Sequence, residues 1–296
     1  MSHPWHILSY PLASEKIALA NVAEQLSSVE EGAIVVLPEY LAYTRDNSLL
    51  ALEYLVDVCR TRKINVMTTL NLVPDNLPHA EPGRNYNVLT IVNRHGDVYT
   101  PQAKITPQSF ERVQFEEKFP AMNVGDYTHL NRVTLDINGQ EHTAFFVICS
   151  DIYSLLLGVQ HIEHLKADYA IVPGNFGNKA ERAVDRILRR FRDGGVFRTT
   201  IFSNPYQVLK DPSKAPLVQQ ATEYVERSED EQVIPLTDWD RIQLFKENVA
   251  VYPDEFVPSF VHMTGLTIKD EGRLTVGLKR FATNVTIDTY SPIISL

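Results

Sequence analysis

The sequence predicts a mixed α/β protein built as a sandwich of layers, and three observations carry that prediction. Short apolar runs rich in β-branched residues, such as AIVVL at 33–37, AFFVI at 144–148 and ADYAIV at 167–172, have the character of strands buried on both faces. Segments with apolar residues at helical spacing lie between them. Two turn signals, one carrying Gly96 and the other Asn138-Gly139, mark hairpins. Strands alternating with helices, with hairpins added, fit a layered α/β architecture.

In chain order, 7–10 reads as a short first strand, and Ala18, Val22 and Leu26 recur at helical spacing from Ser14 onward. The strand at 33–37 stops at Pro38-Glu39-Tyr40. A second helix is expected over 48–62, with Leu52, Leu55, Val56 and Cys59 on one face, which makes Cys59 a core residue. A strand at 64–72 follows, then a hairpin of 87–92 and 98–99 in which Gly96 supplies the positive φ of the turn. The second hairpin joins 133–137 to the strand that ends at Cys149. Beyond the strand at 167–172, Ala180, Ala183, Val184, Ile187, Leu188 and Phe191 form one apolar stripe, and Gly194-Gly195 ends that helix. Arg182, Arg186 and Arg190 lie off the stripe; the run could form an anion site, but a solvated or subunit-facing side is the favoured reading. A strand at 197–203 precedes a change of character over 205–262. There, residues 223–247 hold eight acidic and three basic side chains, and Trp239, Ile242, Phe245 and Val249 suggest one amphipathic helix. Strands at 263–269 and 273–278 flank a last turn.

Composition narrows the function. The 296 residues are 44% hydrophobic, enough for one large domain or two small ones. The net charge of -9 argues against a sequence-independent nucleic-acid binder and against a basic membrane-surface protein. No apolar run approaches the ~20 residues that span a bilayer. The N-terminal stretch has neither a basic segment nor a continuous apolar one, so no signal peptide is expected. Two cysteines, Cys59 and Cys149, make a disulfide framework unlikely and favour a cytoplasmic setting with free thiols. Neither a Cys/His cluster nor an HExxH run points to a metal, and no cofactor is expected.

Four polar residues stand where chemistry is often placed. Glu39 follows a buried strand, where desolvation raises a carboxyl pKa. Lys104 lies just past the first hairpin, Glu111 seven residues later, and Cys149 45 residues after Lys104, where a buried strand gives way to a loop. Taken singly, each has a bland reading as a solvated loop residue or, for the cysteine, an inert core thiol.

Taken together, in this order, they resemble the Glu-Lys-Cys triad of the nitrilase, or carbon–nitrogen hydrolase, superfamily. LPEY matches the family's strand ending in Pro-Glu at Glu39, and NYNVLTIVNRHGDVYTPQAK matches its Asn-bearing hairpin before the lysine, Lys104. Glu111 stands where a second glutamate is common, and FFVICSD matches the nucleophile strand at Cys149. PGNFG, FSN at Ser203-Asn204 and GLTIKDEGRL, with Gly265 and Gly272, resemble later family features. Two stretches depart from the pattern. Ser150-Asp151-Ile152-Tyr153 is neither the tyrosine-bearing amidase form nor the tryptophan-glutamate form of nitrilases, and Asp193-Gly194-Gly195-Val196 replaces the family's Ala-x-Glu-Asn.

The resemblance implies a four-layer αββα sandwich, a single domain over 1–296 with an insertion at about 205–262, and a homo-oligomer. It also implies a cysteine-dependent amide hydrolase acting on a small-molecule amide without cofactor or metal. A nitrilase or acyltransferase using the same triad, and a non-catalytic binding or assembly relative, are the alternatives. In that scheme Glu39 is the general base that a thiol of pKa near 8.5 needs at neutral pH. Lys104 and the Ser150 backbone N–H meet the oxyanion, Glu111 holds Lys104, and Tyr40, Asn175 and Phe176 line the substrate.

Overall fold

A computed structural model describes residues 4–10, 15–73, 84–105, 111, 122, 129–157, 162–176, 178–205, 222–251, 267–270, 274–277 and 286–296. Strands β1 (Trp5–Ile7), β2 (Ile34–Val36), β3 (Asn65–Leu72), β4 (Tyr86–Val92) and β5 (Val98–Tyr99) form a five-stranded sheet in that order. The first three are parallel, as crossovers through helices α1 (Glu15–Ser27) and α2 (Arg45–Arg62) require, and β3–β4 and β4–β5 are antiparallel. The two-residue period of these strands divides their side chains between two cores. Ile34, Val36, Met67, Leu89 and Ile91 join one, whereas Val35, Val66, Val88 and Val92 join another with Val22 and Leu26 of α1 and Leu55 and Cys59 of α2.

The second sheet has six strands in the order β10-β9-β8-β7-β6-β13. They are β6 (His129–Ile137), β7 (Gln140–Phe146), β8 (Ala167–Pro173), β9 (Phe197–Ser203), β10 (Thr222–Glu226) and β13 (Thr286–Ser295), and β11 (Thr267–Asp270) and β12 (Leu274–Gly277) form a separate antiparallel pair. Asn138 and Gly139 both take positive φ between β6 and β7, the conformation that an Asn-Gly hairpin turn demands. The two sheets share the larger core, where Trp5 meets Tyr169 with ring centroids 5.1 Å apart. On the far side α4 (Asn178–Asp193) buries Ala180, Val184, Ile187, Leu188 and Phe191, the predicted stripe. The layers therefore run helix, sheet, sheet, helix.

Several boundaries differ from the sequence reading. The first strand lies at Trp5–Ile7 rather than 7–10, because Ile34 N–H reaches back to the Pro4 carbonyl and sets the register there. Helix α2 starts at Arg45, where the Thr44 hydroxyl accepts from Asn47 N–H at 3.2 Å, and ends in a left-handed Lys63. Within the acidic stretch, β10 pairs antiparallel with β9, and α5 (Asp238–Val251) packs on α4 and on α3 (Ile152–Leu157). Trp239 was expected in the buried stripe of α5 and is instead 65% exposed. Arg241 and Phe245 face inward, with the Arg241 guanidinium 3.0 Å from Asp238 and the Phe245 ring 6.4 Å from Tyr153. Residues 206–221 and 252–266, with Gly265, and Gly272 lie outside the described residues. Among the described residues no helix is long and apolar enough to cross a membrane.

Candidate active site

Glu39 sits where the ends of the two sheets meet. After β2 the chain passes Leu37, whose N–H donates to the Met67 carbonyl, and then leaves the first sheet. The Glu39 N–H donates to the Gly174 carbonyl at 2.9 Å, just beyond β8 of the second sheet, and the Tyr10 hydroxyl donates to the Glu39 carbonyl at 3.1 Å. Tyr40 follows with φ of 62°, a left-handed conformation uncommon outside glycine, and its N–H is satisfied by the Thr69 hydroxyl at 2.9 Å. This kink turns the Glu39 carboxylate into the protein, where the residue is 1% exposed.

Lys104 comes to the same point from the other side of the sheet edge. The segment before it runs along β4, with Leu89 N–H on the Gln102 carbonyl and Lys104 N–H on the Asn87 carbonyl, each at 2.8 Å. Its ammonium lies 2.7 Å from Glu39 Oε1 and 2.9 and 3.0 Å from the two oxygens of Glu111. The Asn87 side chain adds a second donor to Glu39 Oε1, also at 2.7 Å. Tyr40 lies beside them: its hydroxyl donates to Glu111, and its ring centroid is 5.8 Å from the Lys104 nitrogen.

Cys149 completes the cluster. Val147 N–H still donates to the Ile171 carbonyl, but Cys149 takes φ of 48° and opens a tight 3-10 turn, Cys149–Asp151, that leads into α3. A sharp strand-to-helix turn of this kind exposes a side chain at the end of a sheet. Both Asp151 carboxylate oxygens accept from Ile105 N–H, at 3.1 and 3.2 Å, so the cysteine turn is tied to the residue after Lys104. The Cys149 thiol interacts with the Glu39 carboxylate and with the Asn175 backbone N–H. That loop is clamped in turn by Asn204, whose amide accepts from Phe176 N–H at 2.7 Å and donates to the Phe176 carbonyl at 2.9 Å. Gly174 is needed here, since a Cβ would fall within 2.9 Å of the Phe202 and Phe176 rings.

The electrostatics follow from burial. Desolvation raises the Glu39 pKa, Lys104 opposes it, and Glu111 adds to it. Burial alone would lower Lys104, but Glu111 and Glu39 outweigh it and hold the ammonium well above its usual range. The Cys149 thiol is pushed well up, chiefly by burial and then by Glu39, with Lys104 and the Asn175 N–H working the other way. Burial thus favours keeping the proton on the thiol, beside a Glu39 carboxyl group held by a fixed cation. Cys59, by contrast, is pushed up to about 12 by burial among side chains of its core, with a backbone hydrogen bond from Val66 working the other way.

Glu39, Lys104, Glu111 and Cys149 therefore come together, with Tyr40 and Asn175 at the same point and Ser150 and Phe176 buried in the adjoining turns. Sequence reasoning missed Asn87, Asp151 and the clamp by Asn204. Asn87 stands in the Asn-bearing hairpin that resembles the family's, but no local signal shows that its side chain reaches Glu39. Among the described residues no group of three His, Cys, Asp or Glu side chains is placed to hold a metal.

No family model and no curated protein matches the sequence. Solved structures do match. A double mutant of the amidase from Nesterenkonia sp. AN1 in complex with acrylamide superposes with a TM-score of 0.50 at 17% identity, over 80% of this chain and 90% of that one. The chain has the nitrilase-superfamily fold. A mutant of the same amidase carrying the acetamide moiety of fluoroacetamide on its active-site cysteine gives 0.50 at 18% identity, over the same shares of the two chains. A CN-hydrolase superfamily protein from Xanthomonas campestris with an arsenic adduct in its active site gives 0.49 at 13% identity, over 83% of this chain and 92% of that one.

Proposed function

We propose that this protein is a cysteine-dependent hydrolase that cleaves a non-peptide C–N bond, amidase-like, through a thioester. One observation carries the reading: a buried lysine nitrogen lies 2.7 Å from Glu39 and 2.9 Å from Glu111, and Cys149 shares the same carboxylate. Three ionisable groups gathered around a thiol in a dry site are costly to keep unless they do chemistry. The similarly folded amidase, with acrylamide bound in one structure and an acetamide moiety on its active-site cysteine in another, supports the same class of substrate.

In this reading Glu39 accepts the Cys149 proton as sulfur attacks the amide carbon. The carbonyl π electrons move onto oxygen, where Lys104 and the Ser150 N–H stabilise the negative charge. Collapse breaks the C–N bond, and Glu39 returns the proton to the departing amine. Water then gives a proton to Glu39 and attacks the thioester carbon, and the acid leaves as the thiol reforms. Glu111 keeps Lys104 charged and in place, and Tyr40, Asn175 and Phe176 contact the substrate. An amide fits better than a nitrile, because the first attack on an amide gives Glu39 a leaving amine to protonate, a task that no leaving group requires when a nitrile is first attacked. Two free cysteines fit a reducing, cytoplasmic setting.

The test is intact-mass measurement after incubation with a mixed panel of carboxamides and nitriles. A transient acyl mass with release of ammonia or amine is expected from a carboxamide. Acid formation from nitriles alone, with carboxamides inert, would reverse the choice of substrate.

A further inference from the structure

We propose that Asn87 is a positioning residue for the reaction: by holding Glu39 Oε1 together with Lys104, it fixes the plane of the carboxylate and leaves Oε2 as the atom that exchanges protons. This rests on the reading of Glu39 as the general base. Both close donors, Asn87 Nδ2 and Lys104 Nζ, stand 2.7 Å from the same oxygen. A carboxylate oxygen has two lone pairs, and two donors occupy them. The proton that leaves Cys149, and later that of the water, then goes to the other oxygen.

The placement of Asn87 suits this task. It lies within β4 opposite Asn71 of β3, and its own carbonyl accepts the Lys104 N–H at 2.8 Å. One rigid strand position therefore sets both the base and the backbone of the cation. Its side chain is buried in a residue 2% exposed, and the amide oxygen has no protein partner among the described residues. A strand site kept only for packing would be served better by an aliphatic side chain, which carries no desolvation penalty. The amide orientation is also fixed, because only its NH₂ end can face a carboxylate. Without that donor, Glu39 is free to turn both oxygens toward the Lys104 ammonium and to draw Oε2 away from the thiol.

The experiment measures kcat, KM and the pH dependence of kcat/KM for a carboxamide that the wild-type protein hydrolyses, in Asn87→Ala and in the near-isosteric Asn87→Asp. Charged and titratable groups facing Glu39 are Lys104, Glu111, Cys149, Tyr10 and Tyr40, and all are retained in both variants. A hydrogen bond to a charged group is worth enough to lower kcat roughly ten- to a hundredfold when it is lost. Asn87→Ala should show that fall in kcat with KM little changed. Its acid limb should also move up by about one pH unit, because the ionised form of Glu39 has lost a donor. Asn87→Asp should be poor at neutral pH and recover on acidification, as a protonated Asp carboxyl at that site can again donate to Glu39. If both variants fold and keep the wild-type kcat and acid limb, the positioning role is wrong while the hydrolase reading stands. Should Asn87→Ala not fold, the profile of Asn87→Asp decides alone. A wild-type protein that hydrolyses no carboxamide and takes no acyl group on Cys149 would overturn both.

Discussion

Replacing Lys104 with glutamine removes the cation from between two buried carboxylates. The Glu39–Lys104 and Glu111–Lys104 pairs are 2.7 and 2.9 Å long, with side chains 1–2% exposed, so solvent screens them little. Removing one partner of a buried pair costs about 3–5 kcal/mol, because it leaves charge uncompensated. For a chain of 296 residues that corresponds to a fall in thermal midpoint of roughly 5–8 °C. The deficit has a definite pH dependence. Glu39 already ionises above the usual carboxyl range, and the loss of Lys104 pushes it further up. A carboxyl whose folded-state pKa exceeds its unfolded one contributes stability at low pH that is lost as the pH rises. The gap between wild type and Lys104→Gln should therefore widen at alkaline pH and narrow on acidification. Acylation should slow by about 10²–10³, the cost of one oxyanion donor. Calorimetry at several pH values and stopped-time intact-mass measurement give both readouts. An unchanged acylation rate, or a stability deficit that does not vary with pH, would refute the charge arrangement described here.

Other outcomes follow from the same geometry. Asp151→Ala strands the buried Ile105 N–H and should cost about 1–3 kcal/mol while slowing acylation; Asp151→Asn, which keeps one acceptor oxygen, should lie between it and wild type, and equal rates in all three would argue against the tie. Native Cys59, its thiol pushed up to about 12, should resist alkylation at neutral pH until the protein is unfolded, as peptide mapping can show. Deleting 222–235 strips β10 from β9 and removes Tyr224, which packs against the larger core, so it should lower the thermal midpoint; an unchanged midpoint would mean that this stretch is dispensable to the sandwich.

What the sequence made legible was local. Strand ends at Glu39 and Cys149, the Asn138-Gly139 turn and the apolar stripe of α4 are each written in a few consecutive residues. Contacts made across the fold were not. Asp151 meets Ile105, and Asn204 meets Phe176, only because the sheets bring distant loops together. The terminal strand β13 escaped because Pro292 argues against a strand interior. It is an edge strand instead, parallel to β6, and its register shifts between Tyr290 and Ile294, where the proline lies. Trp239 misled for a related reason: spacing alone gave the helix a stripe, of which Phe245 is buried while Trp239 is exposed and Arg241 turns inward instead. The positive φ values of Tyr40 and Cys149 carry no sequence signal at all, since neither is glycine.

The central claim is that Cys149, and no other group, carries the acyl intermediate. It is tested most directly by trapping the intermediate from a hydrolysed carboxamide at low temperature and mapping the added mass in wild type, Cys59→Ala and Cys149→Ala. The acyl mass should lie on the peptide holding Cys149 in the first two proteins and be absent from the third. An acyl group on Lys104, or full turnover by Cys149→Ala, would contradict the account.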